Sequence, residues 1–133
     1  MTKKILFVED DADDRELIAY SLQKEHEHIE LVFAEDGLQA MDYLTRIRNN
    51  DTGKPCLIVL DLNLPIIDGK QLFLKIKDEL KLVDIPVLIF TSSLNPNDKE
   101  YFHANSTGFI TKPNNFNLMS QVANQMLALC YNS

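Results

Sequence analysis

Charged and hydroxyl side chains directly follow several short apolar runs of this 133-residue chain. Three carboxylates, one hydroxyl and one ammonium group stand in this position: Glu9, Asp10, Asp61, Thr91 and Lys112. Carboxylates 4 Å apart repel each other by about 4 kcal/mol at an effective dielectric constant of 20, so a cluster of three favours a bound cation. Magnesium fits, because it takes one or two carboxylates and completes its shell with water and phosphate. Hydroxyl and ammonium donors suit phosphoryl oxygens.

The apolar runs predict five β-strands that alternate with amphipathic helices. The strands are predicted at 4–8, 29–34, 56–60, 86–90 and 108–111. Four helices are predicted from residues that share one face: Leu17, Ile18, Ser21 and Leu22, then Leu38, Met41 and Leu44, then Leu72, Phe73, Ile76 and Leu80, and last Met119, Val122, Met126 and Leu129. A further helix, fourth along the chain, is predicted at about Pro96–Asn105. Asp36, Asp68 and Asn95 are predicted N-caps.

This alternation predicts an α/β fold in which a parallel sheet carries helices on both faces. Ligands of such sheets bind beyond the carboxyl ends of the strands. Since the five polar residues all follow strands, we expect them to line one edge of the sheet.

Each polar residue could also have an ordinary structural or surface role that involves no reactive site. Acidic residues in a first helical turn complement the helix dipole for about 0.5 kcal/mol each, and Asp11, Asp13 and Asp14 are assigned to that role. Thr91 alone is an ordinary strand residue and Lys112 alone an ordinary surface charge, so only their joint placement points to a site. His26, His28 and His103 follow no strand and are expected at the surface. An EF-hand beginning at Asp61 is excluded, because Gly69 lies too late in the loop.

The charge, hydrophobicity and cysteine content of the chain exclude several classes of protein. A net charge of -7 argues against binding nucleic acid through a basic face. No apolar stretch is long enough to span a membrane and no secretory signal is evident, so we expect a cytoplasmic protein. Cys56 and Cys130 have neither metal-ligand spacing nor a disulfide framework, and we expect buried reduced thiols.

Four stretches resemble, in their order and spacing, the receiver domain of bacterial two-component response regulators: ILFVEDD, LDLNLPIIDG, IPVLIFTSS and GFITKP. The resemblance covers nearly the whole chain. It implies a flavodoxin-like, doubly wound sheet of five parallel strands in the order 2-1-3-4-5, with five helices. It also implies one receiver domain over residues 1–133 without an output domain, because the sequence ends just after the fifth helix.

The resemblance implies a role for each carboxylate. Asp61 would accept a phosphoryl group from a phosphohistidine. Asp10, Asp61 and the backbone carbonyl of Asn63 would hold Mg²⁺, and Glu9 would act on the metal through water.

The resemblance also implies roles at the last two strands. Lys112 and Thr91 would bind phosphoryl oxygens, and the peptide bond between Lys112 and Pro113 is expected to be cis. Thr91 and Phe109 would form the switch, although Phe109 stands where a tyrosine is usual and Asn114 replaces a frequent phenylalanine.

The implied partners are a sensor histidine kinase or a histidine phosphotransfer protein, together with a downstream protein target. A homodimer through the face of helix 4, strand 5 and helix 5 is a further expectation. Such a protein is no enzyme beyond catalysing its own phosphorylation and dephosphorylation. The segments RIRNNDTGKP and HANSTGFITKP resemble single-domain regulators paired with phytochrome-type kinases.

Two other functions are compatible with a reactive aspartate. A phosphatase of the haloacid dehalogenase type needs an acid two residues beyond its nucleophile, and the amide of Asn63 cannot serve. A pure metal-binding or scaffold module remains open, but it leaves Thr91 and Lys112 unexplained. Treatment with excess phosphoramidate separates the three functions. A response regulator would form one lasting acyl phosphate, a phosphatase would turn over many times, and a metal-binding or scaffold module would not react.

Overall fold

The computed structural model describes residues 3–48, 53–105 and 107–131. The strands are β1 (Lys4–Val8), β2 (Glu30–Ala34), β3 (Leu57–Leu60), β4 (Val87–Thr91) and β5 (Gly108–Thr111). The helices are α1 (Ala12–Glu25), α2 (Gly37–Ile47), α3 (Gly69–Leu74), α4 (Pro96–Ala104) and α5 (Phe116–Tyr131). A π-helical turn, Lys75–Glu79, continues α3. Part of the predicted connection at 46–55 lies outside the described residues.

The five strands form one parallel sheet in the order β2-β1-β3-β4-β5, which confirms the predicted fold. Its register decides which strand ends are neighbours. Val8 of β1 pairs with Leu60 of β3, so the residues that follow them, Glu9 and Asp61, leave the sheet side by side. A hydrogen bond of 3.2 Å from the Asp61 N–H to the Val8 carbonyl extends this pairing to the rim.

Apolar side chains cover both faces of the sheet. One buried cluster lies on the side of α2, α3 and α4, and a second lies between the sheet and α1 with α5. The central strands β3 and β4 are buried along their whole length, as expected of a parallel sheet covered on both sides. Within the described residues, no helix has the length and apolar character needed to cross a bilayer.

The helix starts agree with the predicted caps. The carboxylates of Asp36 and Asp68 accept hydrogen bonds of 2.8 Å from the N–H groups of Gln39 and Gln71. Asp68 and Gln71 complete a reciprocal capping box at the start of α3. The side chain of Asn95 caps α4 directly before Pro96.

The sequence prediction is wrong for two residues of the helical faces, which are exposed and not buried. Leu38 is 52% exposed, because α2 begins at Gly37 and buries Gly37, Ala40 and Leu44 instead. Leu129 is 40% exposed, because in α5 the side chain of Cys130 takes the inward position one residue later.

The expectation of two reduced thiols is wrong. Cys56, just before β3, and Cys130, in the last turn of α5, form a disulfide with their Cα atoms 5.0 Å apart. The pairing arises from the topology, because α5 returns across the sheet until its last turn lies beside the start of β3. A separation of 74 residues in the sequence gives no sign of this proximity.

Candidate functional site

The five polar residues predicted from the sequence meet at the carboxyl edge of the sheet. Glu9 and Asp10 follow β1, Asp61 follows β3, Thr91 ends β4 and Lys112 follows β5. Lys112 contacts Glu9 and Asp61 directly, Thr91 lies near Asp61, and Asp10 lies beside Glu9 and Asp61 in one acidic cluster.

The carboxylates form a compact cluster. One oxygen each from Glu9, Asp10 and Asp61 can be chosen so that all three lie within 4.8 Å of one another. Glu9 and Asp61 are each only 5% exposed, whereas Asp10 is open to solvent. An all-oxygen donor set with one solvent-facing side fits a hard divalent cation that keeps part of its water shell, such as Mg²⁺.

Lys112 supplies the opposing charge. Its Nζ lies 2.6 Å from Oε1 of Glu9, 2.9 Å from Oδ2 of Asp61 and 2.8 Å from Oδ2 of Asp14. An ammonium group has three donors, so these three carboxylates use all of them. The sequence predicts only a helix-dipole role for Asp14, and the structure instead places its carboxylate in the site.

The peptide bond between Lys112 and Pro113 is trans, which corrects the expectation of a cis bond. The trans form is the more stable one for an X-Pro bond, by about 0.5–1 kcal/mol. The Lys112 side chain makes its three carboxylate contacts from this arrangement.

Burial and hydrogen bonding move the two buried carboxyl groups in opposite directions. Desolvation, together with the charge of Asp61, raises the pKa of Glu9 to about 7, although Lys112 opposes the shift. Desolvation would also raise the pKa of Asp61, but hydrogen bonds from Lys112, Thr91 and the Asn63 N–H more than offset it, and the net shift is downward. Of the two, Asp61 is therefore the carboxylate that stays ionised at neutral pH.

The Lys112 ammonium stays charged. Burial lowers its pKa, but hydrogen bonds from Lys112 to Asp14, Glu9 and Asp61 raise it more, and the net pKa lies above the ordinary lysine value. A fixed positive charge thus faces Asp61 at 2.9 Å.

The loop after Asp61 holds this carboxylate in place. The N–H of Asn63 donates to Oδ1 of Asp61 at 3.2 Å. A tight turn follows, in which the Ile67 N–H donates to the Pro65 carbonyl at 2.8 Å and Ile66 has φ 70°. This left-handed conformation is rare for a β-branched residue, and such strain clusters at functional sites.

Gly69 closes the same loop against the strand end. Its N–H donates to the carbonyl of Leu62 at 3.1 Å, and its Cα faces the backbone of Asp61 and Leu62 so closely that no side chain fits between them. Glycine is therefore required for close approach rather than for an unusual φ angle.

Thr91 and Phe109, the two residues expected to form the switch, lie in the neighbouring strands β4 and β5. Thr91 is fully buried, its hydroxyl contributes to lowering the pKa of Asp61, and its Oγ1 accepts from the Ser93 N–H at 3.3 Å. The half-buried Phe109 packs against Phe102, with ring centroids 6.2 Å apart. The Thr91 hydroxyl thus lies near Asp61, and the aromatic ring of Phe109 lies on the α4 side of β5.

The histidines take no part in this site. His28 and His103 are exposed, and His26 stacks on Tyr131 with ring centroids 4.9 Å apart at the opposite end of α1. Asn114 follows Pro113 in the connection to α5, where it belongs to no helix or strand.

Comparison with known proteins gives the family. The profile described as response regulator receiver domain matches residues 5–124. Response regulator Rcp1 of Synechocystis is 39% identical over 97 residues, which cover 72% of this chain and 66% of Rcp1. The chain spans less than half of several other curated relatives.

Solved structures agree with this result. The phosphorylated cyanobacterial phytochrome response regulator RcpA is 32% identical and superimposes with a TM-score of 0.86, covering 100% of this chain and 97% of RcpA. The Mn²⁺-bound form of Rcp1 is 32% identical with a TM-score of 0.81, covering 95% of this chain and 92% of Rcp1. The chain therefore belongs to the response regulator receiver domain family and is a response regulator of two-component signalling.

Proposed function

We propose that this protein accepts a phosphoryl group on the side chain of Asp61. The observation that carries the proposal is the placement of one buried, low-pKa carboxylate 2.9 Å from a fixed ammonium group and beside two further carboxylates. A nucleophile must be ionised at working pH, and Asp61 meets this condition where Glu9 does not.

The transfer balances as a single displacement. A carboxylate oxygen of Asp61 attacks the phosphorus of a phosphohistidine, the P–O bond forms and the P–N bond breaks. The imidazole leaves with that bonding pair and takes a proton, and the product is an acyl phosphate. Water later attacks the phosphorus, and inorganic phosphate leaves as the carboxylate is restored.

The residues that would hold Mg²⁺ are Asp10 and Asp61 with the backbone carbonyl of Asn63, while Glu9 would act through water. The compact oxygen donor set supports this assignment. When bound, the metal offsets the negative charge that the carboxylates and phosphoryl oxygens bring together. The manganese-bound Rcp1 structure supports a divalent cation in this family.

Lys112 and Thr91 would receive the phosphoryl oxygens. Lys112 already donates to Asp61 at 2.9 Å, and the Thr91 hydroxyl is near enough to lower the pKa of Asp61, so both donors lie close to a group attached there. Such preorganised donors stabilise developing charge without reorganising solvent. On this proposal the protein catalyses only its own phosphorylation and dephosphorylation.

The output is a change of surface. A phosphoryl group adds about -1.5 to -2 charges and strong acceptor oxygens, which would hold Thr91 and shift the packing of Phe109 on Phe102. The face of α4, β5 and α5 would then change its affinity for a downstream protein or a second copy. Leu94 and Leu118 expose apolar surface next to this face and support its use as an interface.

The phosphodonor would be a sensor histidine kinase or a histidine phosphotransfer protein. The similarity to RcpA, a phytochrome response regulator, supports a kinase of the phytochrome type. Phosphotransfer profiling against candidate kinases would identify the cognate donor by its faster transfer.

Phosphoramidate with Mg²⁺ tests the proposed function. We expect wild type to gain one phosphoryl group by intact mass, labile to hydroxylamine, and Asp61→Asn to gain none. Asp36→Asn, which alters a cap carboxylate of α2, is the matched control and should label like wild type. Continued turnover would indicate a phosphatase, and labelling of Asp61→Asn would move the site elsewhere.

A further inference from the structure

Lys112 is held by one carboxylate that the proposed function does not use. Oδ2 of Asp14 lies 2.8 Å from Nζ of Lys112, and its side chain is 38% exposed while that of Lys112 is 12% exposed. We infer that Asp14 is a positioning residue, which orients the Lys112 ammonium group for the phosphoryl group on Asp61. This inference rests on the proposed function.

The geometry assigns the three ammonium donors to two groups of acceptors. Glu9 and Asp14 belong to the β1–α1 side of the site, and Asp61 follows β3. When a phosphoryl oxygen takes the donor that now faces Asp61, the other two contacts can persist. Asp14 and Glu9 then keep the ammonium directed at the phosphoryl group throughout the transfer.

Asp14 is itself held in position. Its backbone N–H donates to Oδ1 of Asp11, the N-cap of α1, at 3.0 Å. Arg15 fixes the same helical turn to the strand, because its guanidinium donates to the Glu9 carbonyl at 2.8 Å. A rigid first turn therefore presents this carboxylate to Lys112.

The physical need for such a residue comes from the lysine side chain. A lysine carries about 2 kcal/mol of rotamer entropy, and an ammonium is a point charge without a preferred direction. A second anchor on the solvent side restricts Nζ before the phosphodonor arrives, so less order has to be gained in the transition state. The pair itself is partly exposed and adds little to folding stability.

Asp14 also contributes a negative charge, which disfavours an anionic phosphodonor. This repulsion would slow labelling, whereas positioning of Lys112 would speed it, so the test has to separate the two effects. Asp13 offers the matched control, because it is the adjacent residue of the same helical turn, has the same charge and is exposed.

The test measures the first-order rate of labelling by phosphoramidate at saturating Mg²⁺ for wild type, Asp14→Ala, Asp14→Asn and Asp13→Ala. Positioning predicts a fall of about five- to tenfold for Asp14→Ala, as for the loss of one charge-assisted hydrogen bond at a partly exposed site. Asp14→Asn keeps an acceptor oxygen and should recover part of the rate. Asp13→Ala should stay within about twofold of wild type.

A double-mutant cycle shows whether Asp14 acts through Lys112. In a Lys112→Ala background the effect of Asp14→Ala should vanish. The inference is overturned if Asp14→Ala matches Asp13→Ala, or if its effect persists without Lys112, while wild type is still labelled at Asp61. Absence of label on wild type would instead overturn the proposed function and this inference with it.

Discussion

Replacing Gly69 with alanine tests whether the loop behind Asp61 is packed as tightly as the structure shows. A Cβ at this position would lie 2.7 Å from Cα of Leu62 and 2.9 Å from the carbonyl carbon of Asp61, with the carbonyl oxygen nearer still. Real Cβ atoms essentially never approach below 3.0 Å. Because these atoms are backbone, the loop must shift by at least several tenths of an ångström.

The expected cost follows from two opposing contributions. Overpacking of this kind destabilises by about 1–3 kcal/mol, and a rigid backbone partner puts Gly69→Ala near the upper end. Alanine returns about 0.4–1 kcal/mol by restricting the unfolded chain. We therefore expect a net loss of about 2 kcal/mol, which lowers the urea midpoint by about 1 M at an m-value of about 2 kcal/mol/M.

We expect Gly69→Ala to reduce the rate of phosphorylation more than it reduces the stability of the fold. The clash falls on the residue that carries the reactive carboxylate, and a displacement approaching 1 Å can slow a positioned reaction by about a hundredfold. We expect Gly69→Ala to be labelled by phosphoramidate at least about tenfold more slowly than wild type, under conditions where both remain folded.

Gly108→Ala is the matched control for Gly69→Ala. Its Cβ would meet only Cδ1 of Leu88, at 2.9 Å, which is the end of a flexible side chain that can turn aside. This variant should lose less than about 1 kcal/mol and keep its labelling rate. If Gly69→Ala unfolds and labels like Gly108→Ala, the close approach of α3 to the Asp61 backbone is wrong.

The remaining predictions concern a carboxyl group, a helix cap and the switch. In metal-free buffer, the pKa of Glu9 rises on folding from about 4.5 to about 7, so its contribution to stability is greatest below pH 4.5 and declines by up to about 3 kcal/mol as pH rises through 7. Urea unfolding at several pH values should show this decline in wild type and not in Glu9→Gln, and equal slopes would contradict it. Asp68→Ala removes the α3 capping box and should cost about 0.5–2 kcal/mol in the same assay, whereas an unchanged midpoint would contradict that role. Beryllofluoride with Mg²⁺ should change the NMR shifts of residues 91–112 in wild type and less in Thr91→Ala and Phe109→Ala, and identical responses would place the switch elsewhere.

The strand ends could be predicted from the sequence because one local rule is enough. Short apolar runs that alternate with helical periodicity specify a parallel sheet, and a parallel sheet brings the residues after its strands to one edge. Glu9, Asp61 and Lys112 could therefore be expected together before any distance was known. Six of the ten predicted strand bounds agree with the observed ones and the other four differ by one residue, which changes none of these neighbours.

Asp14 could not be assigned in the same way, although a signal was present. It lies in the first turn of α1, which begins two residues after Asp10, so a helix that begins at this strand end keeps it near the site. An acidic first turn explains the residue equally well without a contact. Only the position of Lys112, 98 residues away, decides between the two.

The errors also have physical reasons. Cys56 and Cys130 meet only because α5 crosses back over the sheet, and no local pattern records that return. The cis bond before Pro113 was expected from resemblance alone, and the trans form satisfies the contacts of Lys112. Leu38 was assigned to a buried face from periodicity, but the exact start of α2 decides which residues of the first turn face the sheet.

Chemical trapping of the acyl phosphate identifies the phosphorylated residue itself. Borohydride reduces an aspartyl phosphate to homoserine, so the modified position can be read by peptide mass spectrometry after brief labelling with phosphoramidate and Mg²⁺. We expect homoserine at Asp61, at a yield that falls when Mg²⁺ is chelated, with none at Asp10 or Asp14. Reduction at any other carboxyl group, with Asp61 recovered intact, would contradict the assignment of the phosphoacceptor.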